Sequence, residues 1–175
     1  TLKYQDGWAP AQMLSAGFEF RNEGLRVFNG TGQINGLQVS KVAGRFRDFK
    51  IGDLEIDAHA TGNLNDALTL LQGSPISDAL GEMFNKLRGQ GSAQSDVKLM
   101  LPIKHIQDRR IEVTTRLQDA TLMLVDANAP VTSLNGFLTI RQTLPAAGHL
   151  EGRWLGGPLR VTVEHIDAGT PAANV

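Results

Sequence analysis

Cysteine is absent from the 175 residues, which excludes disulfide bonds and thiolate metal sites. Neither sign of charge is in excess, since 17 Lys and Arg stand against 18 Asp and Glu, and the charges occur singly. That pattern leaves no basic patch for nucleic acid or an anionic surface. No apolar run approaches the roughly 20 residues of a transmembrane helix, and the opening TLKYQDGWAP lacks the features of a signal peptide. We expect one folded domain, cut from a longer protein.

Motifs that carry chemistry are also lacking. The four histidines lie far apart in sequence and match no zinc-binding spacing. The glycine pairs at 30–32 and 89–91 lack the third glycine of a dinucleotide loop, and no serine lies in a Gly-x-Ser-x-Gly elbow. A glycan-cleaving pair of carboxylates is an alternative, but no pair stands out by position. We predict that the chain is not an enzyme, with no catalytic residues, no metal and no cofactor.

Alternation of apolar and polar residues dominates the rest of the chain. Leu54 and Ile56 alternate with Glu55 and Asp57, which is the period of a half-buried β-strand. The same period recurs in residues 16–62 and 91–167. Between positions 17 and 62 glycines occur every two to ten residues, a spacing typical of the turns of hairpins. The pattern predicts an antiparallel meander.

The alternation breaks between residues 63 and 88. A first short helix is predicted from residue 64, with Asn63 as its N-cap and Gly73 as its end. A second is predicted after Ser74, because Pro75 suits the first position of a helix. Neither helix is long enough to be stable alone, so we expect both to dock on the sheet as a cover or a gate. The residues expected to do this are Leu68, Leu71, Ile76, Leu80 and Phe84.

These patterns define the predicted organisation. Residues 1–15 form a lead-in, residues 16–167 a single β-rich domain, and residues 168–175 a linker or tail. Within the domain, strands at 16–62 and 91–167 flank the helical pair at 63–88. The predicted fold class is mainly β with a minor α part: an antiparallel meander curled into a groove or an open sandwich, with two short helices inserted.

One apolar face of the predicted sheet is the candidate functional surface. The residues expected to line it are Leu54, Ile56, Ile111, Val113, Leu122 and Leu124. Two interpretations stay open, because a β-sandwich needs such stripes for its own core. A curled sheet would instead leave them free as a hydrophobic groove, in which each buried methylene group of a guest contributes about 0.8 kcal/mol.

Short motifs occur in a fixed order along nearly the whole chain. They are Tyr4, Gly7-Trp8-Ala9-Pro10, Gly52-Asp53-Leu54, Ala60-Thr61-Gly62, Asp66-Ala67-Leu68, Leu71 before Ser74-Pro75-Ile76, Gly89, Gly91, Leu101-Pro102-Ile103, Leu117 and Asp119-Ala120. In this order they resemble the periplasmic region of the YhdP-type AsmA-like proteins. Each motif alone is short and rich in glycine, so the resemblance rests on their combination.

The resemblance implies a periplasmic segment of a long envelope protein that is anchored in the inner membrane. It implies a non-enzymatic, bridge-like carrier whose apolar groove conducts phospholipid between the inner and outer membranes. The implied partners are phospholipid acyl chains and neighbouring repeats of the same protein. An alternative from another class is a structural or assembly module of the envelope that associates with itself or with partners through exposed sheet edges.

Overall fold

The computed structural model describes residues 9–48, 52–74, 77, 82–102, 105, 108–126, 129–142 and 144–164. Nine strands and two short helices lie in these residues. The strands are β1 (Ala11–Arg21), β2 (Gly24–Ile34), β3 (Leu37–Phe46), β4 (Asp53–Asn63), β5 (Leu87–Pro102), β6 (Arg110–Leu124), β7 (Val131–Arg141), β8 (Leu144–Trp154) and β9 (Gly157–Val163). The helices are α1 (Leu64–Gln72) and α2 (Glu82–Asn85).

All nine strands form one antiparallel sheet in the order of the sequence, with β1 and β9 at its edges. Tight turns join several neighbours: Asn35 and Gly36, between β2 and β3, have φ of 49° and 82°, as a two-residue type I′ turn requires. The sheet curls but does not close, because its edge strands do not pair with each other. The predicted mainly β, antiparallel meander is confirmed.

β-Bulges recur along the strands and account for the curl. Met13, Asn29, Lys41, Asp119 and Ser133 have φ between 45° and 53°, and each lies at a shift in the strand register. A bulge adds one residue to one strand, bends that strand and increases its twist. Single backbone positions in five strands therefore bend the sheet.

Two boundaries differ from the prediction. β1 begins at Ala11, inside the predicted lead-in, because the bulge at Met13 interrupts the alternation without ending the pairing. β5 begins at Leu87, inside the predicted helical segment. Gly91, with φ of 96°, lies at a shift in register within β5 and is not the start of the strand. The predicted tail at 168–175 lies outside the described residues.

Alternation and register place side chains in rows on two faces of the sheet. Ile56 pairs with Leu99, and Leu99 pairs with Ile111, so these three form one row across β4, β5 and β6. The face that carries this row is the apolar face. The neighbouring pair of Lys98 and Glu112 lies on the opposite side, the polar face, because successive strand residues point to opposite sides.

Helix α1 forms as the sequence predicted. Asn63 Oδ1 accepts a hydrogen bond from the backbone N–H of Asn65 at 2.8 Å, which satisfies one free donor of the first turn. Gly73 ends the helix, and its N–H donates to the carbonyl of Thr69 at 2.9 Å. The Ser74 hydroxyl donates to the carbonyl of Leu71 at 2.7 Å. Pro75 lies outside the described residues.

The hydrophobic core lies where α1 docks on the apolar face. Leu64 and Leu68 are only 5% and 7% exposed, and they pack against Ala93, Ala120 and Leu134 of β5, β6 and β7. Among the described residues no second sheet covers the remainder of this face, and no large side chain is completely buried. The described part of the protein is one layer of sheet with a small core at one end.

Candidate functional site

The part of the apolar face at the strand ends away from α1 is the candidate site, termed the open half. Its side chains share rows on neighbouring strands, and all are partly exposed. They are Leu54, Ile56, Val97, Leu99, Leu101, Ile111, Val113, Leu138 and Ile140. Four of the six residues predicted to line a groove, Leu54, Ile56, Ile111 and Val113, thus lie together in the open half.

The other part of the apolar face, termed the helix-covered half, lies at the end of the sheet where α1 docks. Leu122 packs against the buried cluster under α1. Leu124 pairs with Leu87 at the same end of β5 and β6. These two predicted lining residues therefore lie apart from Ile111 and Val113, at the opposite end of β6.

The five residues predicted to form a helical cover fall into three groups in the structure. Leu68 is buried on the sheet, and Phe84 of α2 packs against the same cluster. Leu71 is partly buried on α1. Ile76 and Leu80 lie outside the described residues.

A pair of hydroxyl groups marks the boundary between the two halves. Ser95 Oγ and Thr115 Oγ1 lie 2.9 Å apart on β5 and β6. The row of Val97 and Val113 flanks them on the open side, and Ala93 flanks them on the other. Because each hydroxyl is a hydrogen-bond partner for the other, their placement on an apolar face costs little. Sequence reasoning missed this pair, since it depends on the register of two strands.

The polar face is held by ion pairs between neighbouring strands. His59 Nδ1 and Arg116 Nη1 lie 2.7 and 2.6 Å from the two carboxylate oxygens of Asp96. The hydrogen bond with His59, followed by that from Arg116, lowers the pKa of Asp96 below its ordinary value. Arg141 with Glu112 and Arg160 with Glu151 form similar pairs at 2.7 and 2.8 Å.

A shallow depression of about 580 Å³ lies across β4, β5 and β6, and most of the side chains that line it, such as Glu55, Lys98 and Glu112, belong to the polar face. Two of its carboxylates are held by arginines, Glu55 by Arg47 at 2.6 Å and Glu112 by Arg141 at 2.7 Å. In the part of the chain that the structure describes, no three potential metal ligands converge.

In the described residues the geometry defines a single open layer of β-sheet, whose apolar face is covered by α1 at one end and by no second layer at the other. The model of the YhdP protein family matches residues 1–174, and the chain belongs to that family. It is similar to the "Intermembrane phospholipid transporter YhdP" of Escherichia coli (strain K12), with 23% identity over 176 residues, which cover 98% of this chain but 14% of that protein. No solved structure matched. Neither described helix combines the length and apolar character needed to span a bilayer.

Proposed function

We propose that this chain is a non-enzymatic segment of an intermembrane phospholipid transporter, and that its apolar face carries acyl chains. The observation that carries the proposal is the open half, where large aliphatic side chains form continuous rows and no second layer of the described structure covers them. Membership of the YhdP family and similarity to a protein named as a phospholipid transporter support it.

The physical basis is burial of hydrocarbon. Each buried methylene group contributes about 0.8 kcal/mol, so a chain of about sixteen carbons gains on the order of 10 kcal/mol as an upper bound. This attraction follows the area removed from water and has no preferred direction. An acyl chain can therefore move from row to row while its head group stays in water.

The proposal places the chain in the periplasm, as part of an inner-membrane-anchored protein whose neighbouring repeats extend the groove. The edge strands support this, because β1 and β9 each pair on one side only within the described sheet and can accept a further strand. At about 4.8 Å per strand, nine strands would add roughly 40 Å of groove. The same edges would let an isolated segment associate with itself.

Photocrosslinking at two adjacent positions tests the proposal. A benzoylphenylalanine at Ile111 lies on the apolar face, and the matched control at Arg110 lies on the polar face of the same strand. In the full-length protein in cells, we expect phospholipid adducts at Ile111 and only background at Arg110. Equal yields at the two positions would contradict the proposal.

Placing a charge in the open half tests the same proposal by its effect on phospholipid transfer. Ile111→Lys places an ammonium group among the aliphatic rows, so we expect phospholipid transfer by the full-length protein to be lost while its thermal melting curve keeps its shape. The control is Arg110→Lys, which leaves transfer intact. If Ile111→Lys unfolds the protein, the row is structural and the proposal is wrong.

A further inference from the structure

The geometry points to α1 as a fixed partition that confines acyl chains to the open half, with their head groups along one rim. That rim, termed the open rim, is formed by the strand ends beside Leu54, Leu101 and Ile111, away from α1. The inference rests on the proposed function and adds to it the place and the orientation of the lipid. As a partition, α1 stays docked on the sheet, whereas a gate would have to leave it.

Packing under α1 is too close for a loosely held cover. The sheet presents small residues there, namely Gly89, Ala93 and Ala120, and the leucines of α1 fill the space above them. A Cβ atom at position 89 would lie 2.5 Å from Leu64 Cγ and 3.1 Å from Leu68 Cδ1. Because these leucines occupy the space above a bare backbone, no hydrocarbon chain can pass between α1 and the sheet.

Hydrogen bonds tie both ends of α1 to the surrounding structure. Near its first turn, Asn35 Nδ2 in the turn between β2 and β3 donates to the carbonyl of Asp66 at 3.0 Å. At its last residue, Gln72 Nε2 donates to the carbonyls of Phe84 and Leu87 at 3.0 and 2.9 Å. Moving α1 off the sheet would break these bonds and expose two buried leucines.

The dimensions of the open half match one acyl chain. From Leu54 to Ala60 along β4 there are six steps of about 3.3 Å, or roughly 20 Å. The hydrocarbon core of a bilayer is about 30 Å thick, so each leaflet holds chains of about 15 Å. β5 has 16 residues and is roughly 50 Å long, enough for two chains end to end if α1 were absent. With α1 in place, one chain fits and its head group lies at the open rim.

A matched pair of positions on one strand tests this inference. Val113 and Leu117 both lie on the apolar face of β6 and are both partly buried, but Val113 belongs to the open half and Leu117 packs against the cluster under α1. Benzoylphenylalanine is placed at each, in the full-length protein, with vesicles of dioleoyl phosphatidylethanolamine and phosphatidylglycerol as the probe. The control position is again Arg110.

We expect phospholipid adducts at Val113 and background yields at Leu117. Equal adducts at Val113 and Leu117 would overturn the partition but leave the proposed function standing. Adducts at Leu117 alone would also overturn it. Background yields at both positions, no greater than at Arg110, would overturn the proposed function itself.

A disulfide lock separates a partition from a gate. This chain has no cysteine of its own, and Leu64→Cys combined with Gly89→Cys introduces one pair of thiols, at positions whose side chains would be in contact. We expect oxidation to leave adduct yield at Val113 and phospholipid transfer unchanged relative to the reduced protein. Loss of transfer on oxidation, restored by a reductant, would show that α1 must move and would overturn the inference.

Discussion

The two halves of the apolar face share one alternation of residues but differ in what covers them. Directly under α1 the sheet offers Gly89, Ala93 and Ala120, and larger sheet residues such as Leu117 and Leu134 complete the cluster with the helix. In the open half the sheet itself carries large side chains such as Leu99 and Ile111, which stay partly exposed. The comparison shows that α1 docks directly over small sheet residues, whereas the large side chains of the open half have no covering element among the described residues.

The largest loss of stability is expected from a substitution in the helix-covered half. Leu68→Ala leaves a cavity at a side chain that is 7% exposed, and such changes cost about 3 kcal/mol. Urea unfolding followed by circular dichroism measures the loss. The matched variant Ile111→Ala in the open half should cost about 1 kcal/mol, because water already reaches the side chain. Equal losses would remove the distinction between the halves.

Overpacking under α1 should have an intermediate effect. Gly89→Val would push the new side chain into Leu64 and Leu68, at a cost of about 2 kcal/mol. Gly157→Val is the control, because the nearest non-neighbouring atom to a Cβ there is the Trp154 carbonyl oxygen at 3.7 Å. Thermal denaturation of both variants should show a lower melting temperature only for Gly89→Val. An unchanged melting temperature for Gly89→Val would mean that α1 tolerates displacement.

The smallest loss of stability is expected from a substitution on the polar face, next to Ser95 of the boundary hydroxyl pair. Asp96→Asn removes a carboxylate whose pKa is held below its ordinary value of 3.8. A lowered pKa stabilises the fold fully above that value, and the stabilisation disappears as pH falls through the folded pKa. The variant should therefore be less stable than wild type at neutral pH and equal to it in strong acid, as measured by urea unfolding across pH. Asp57→Asn, on the same face, serves as the control, and a pH-independent difference for Asp96→Asn would contradict the assignment.

Local patterns were enough to predict the elements of this fold. Period-two alternation in segments such as residues 53–63 depends only on near neighbours, and so does the cap at Asn63 that begins α1. The bulges were not predictable, because one residue with left-handed backbone, such as Met13 or Ser133, leaves no pattern in its neighbours. For that reason the start of β1 was placed too late.

The division of the apolar face was also beyond sequence reasoning. Leu122 and Leu124 lie two residues apart on one strand, as Ile111 and Val113 do. Their surroundings differ because α1 docks at one end of β6, and only the pairing of β5 with β6 sets which end that is. The sequence therefore predicts the six lining residues as one group, whereas in the structure four lie in the open half and two lie in the helix-covered half.

The strictly sequential strand order has a consequence for how such a protein is made. Each strand pairs only with the strands before and after it in the chain, so contacts are close in sequence and the protein resembles a one-dimensional array. A new strand can join the growing edge as soon as the strand before it has paired, without waiting for distant partners. Damage to one strand should likewise stay confined to its immediate neighbours.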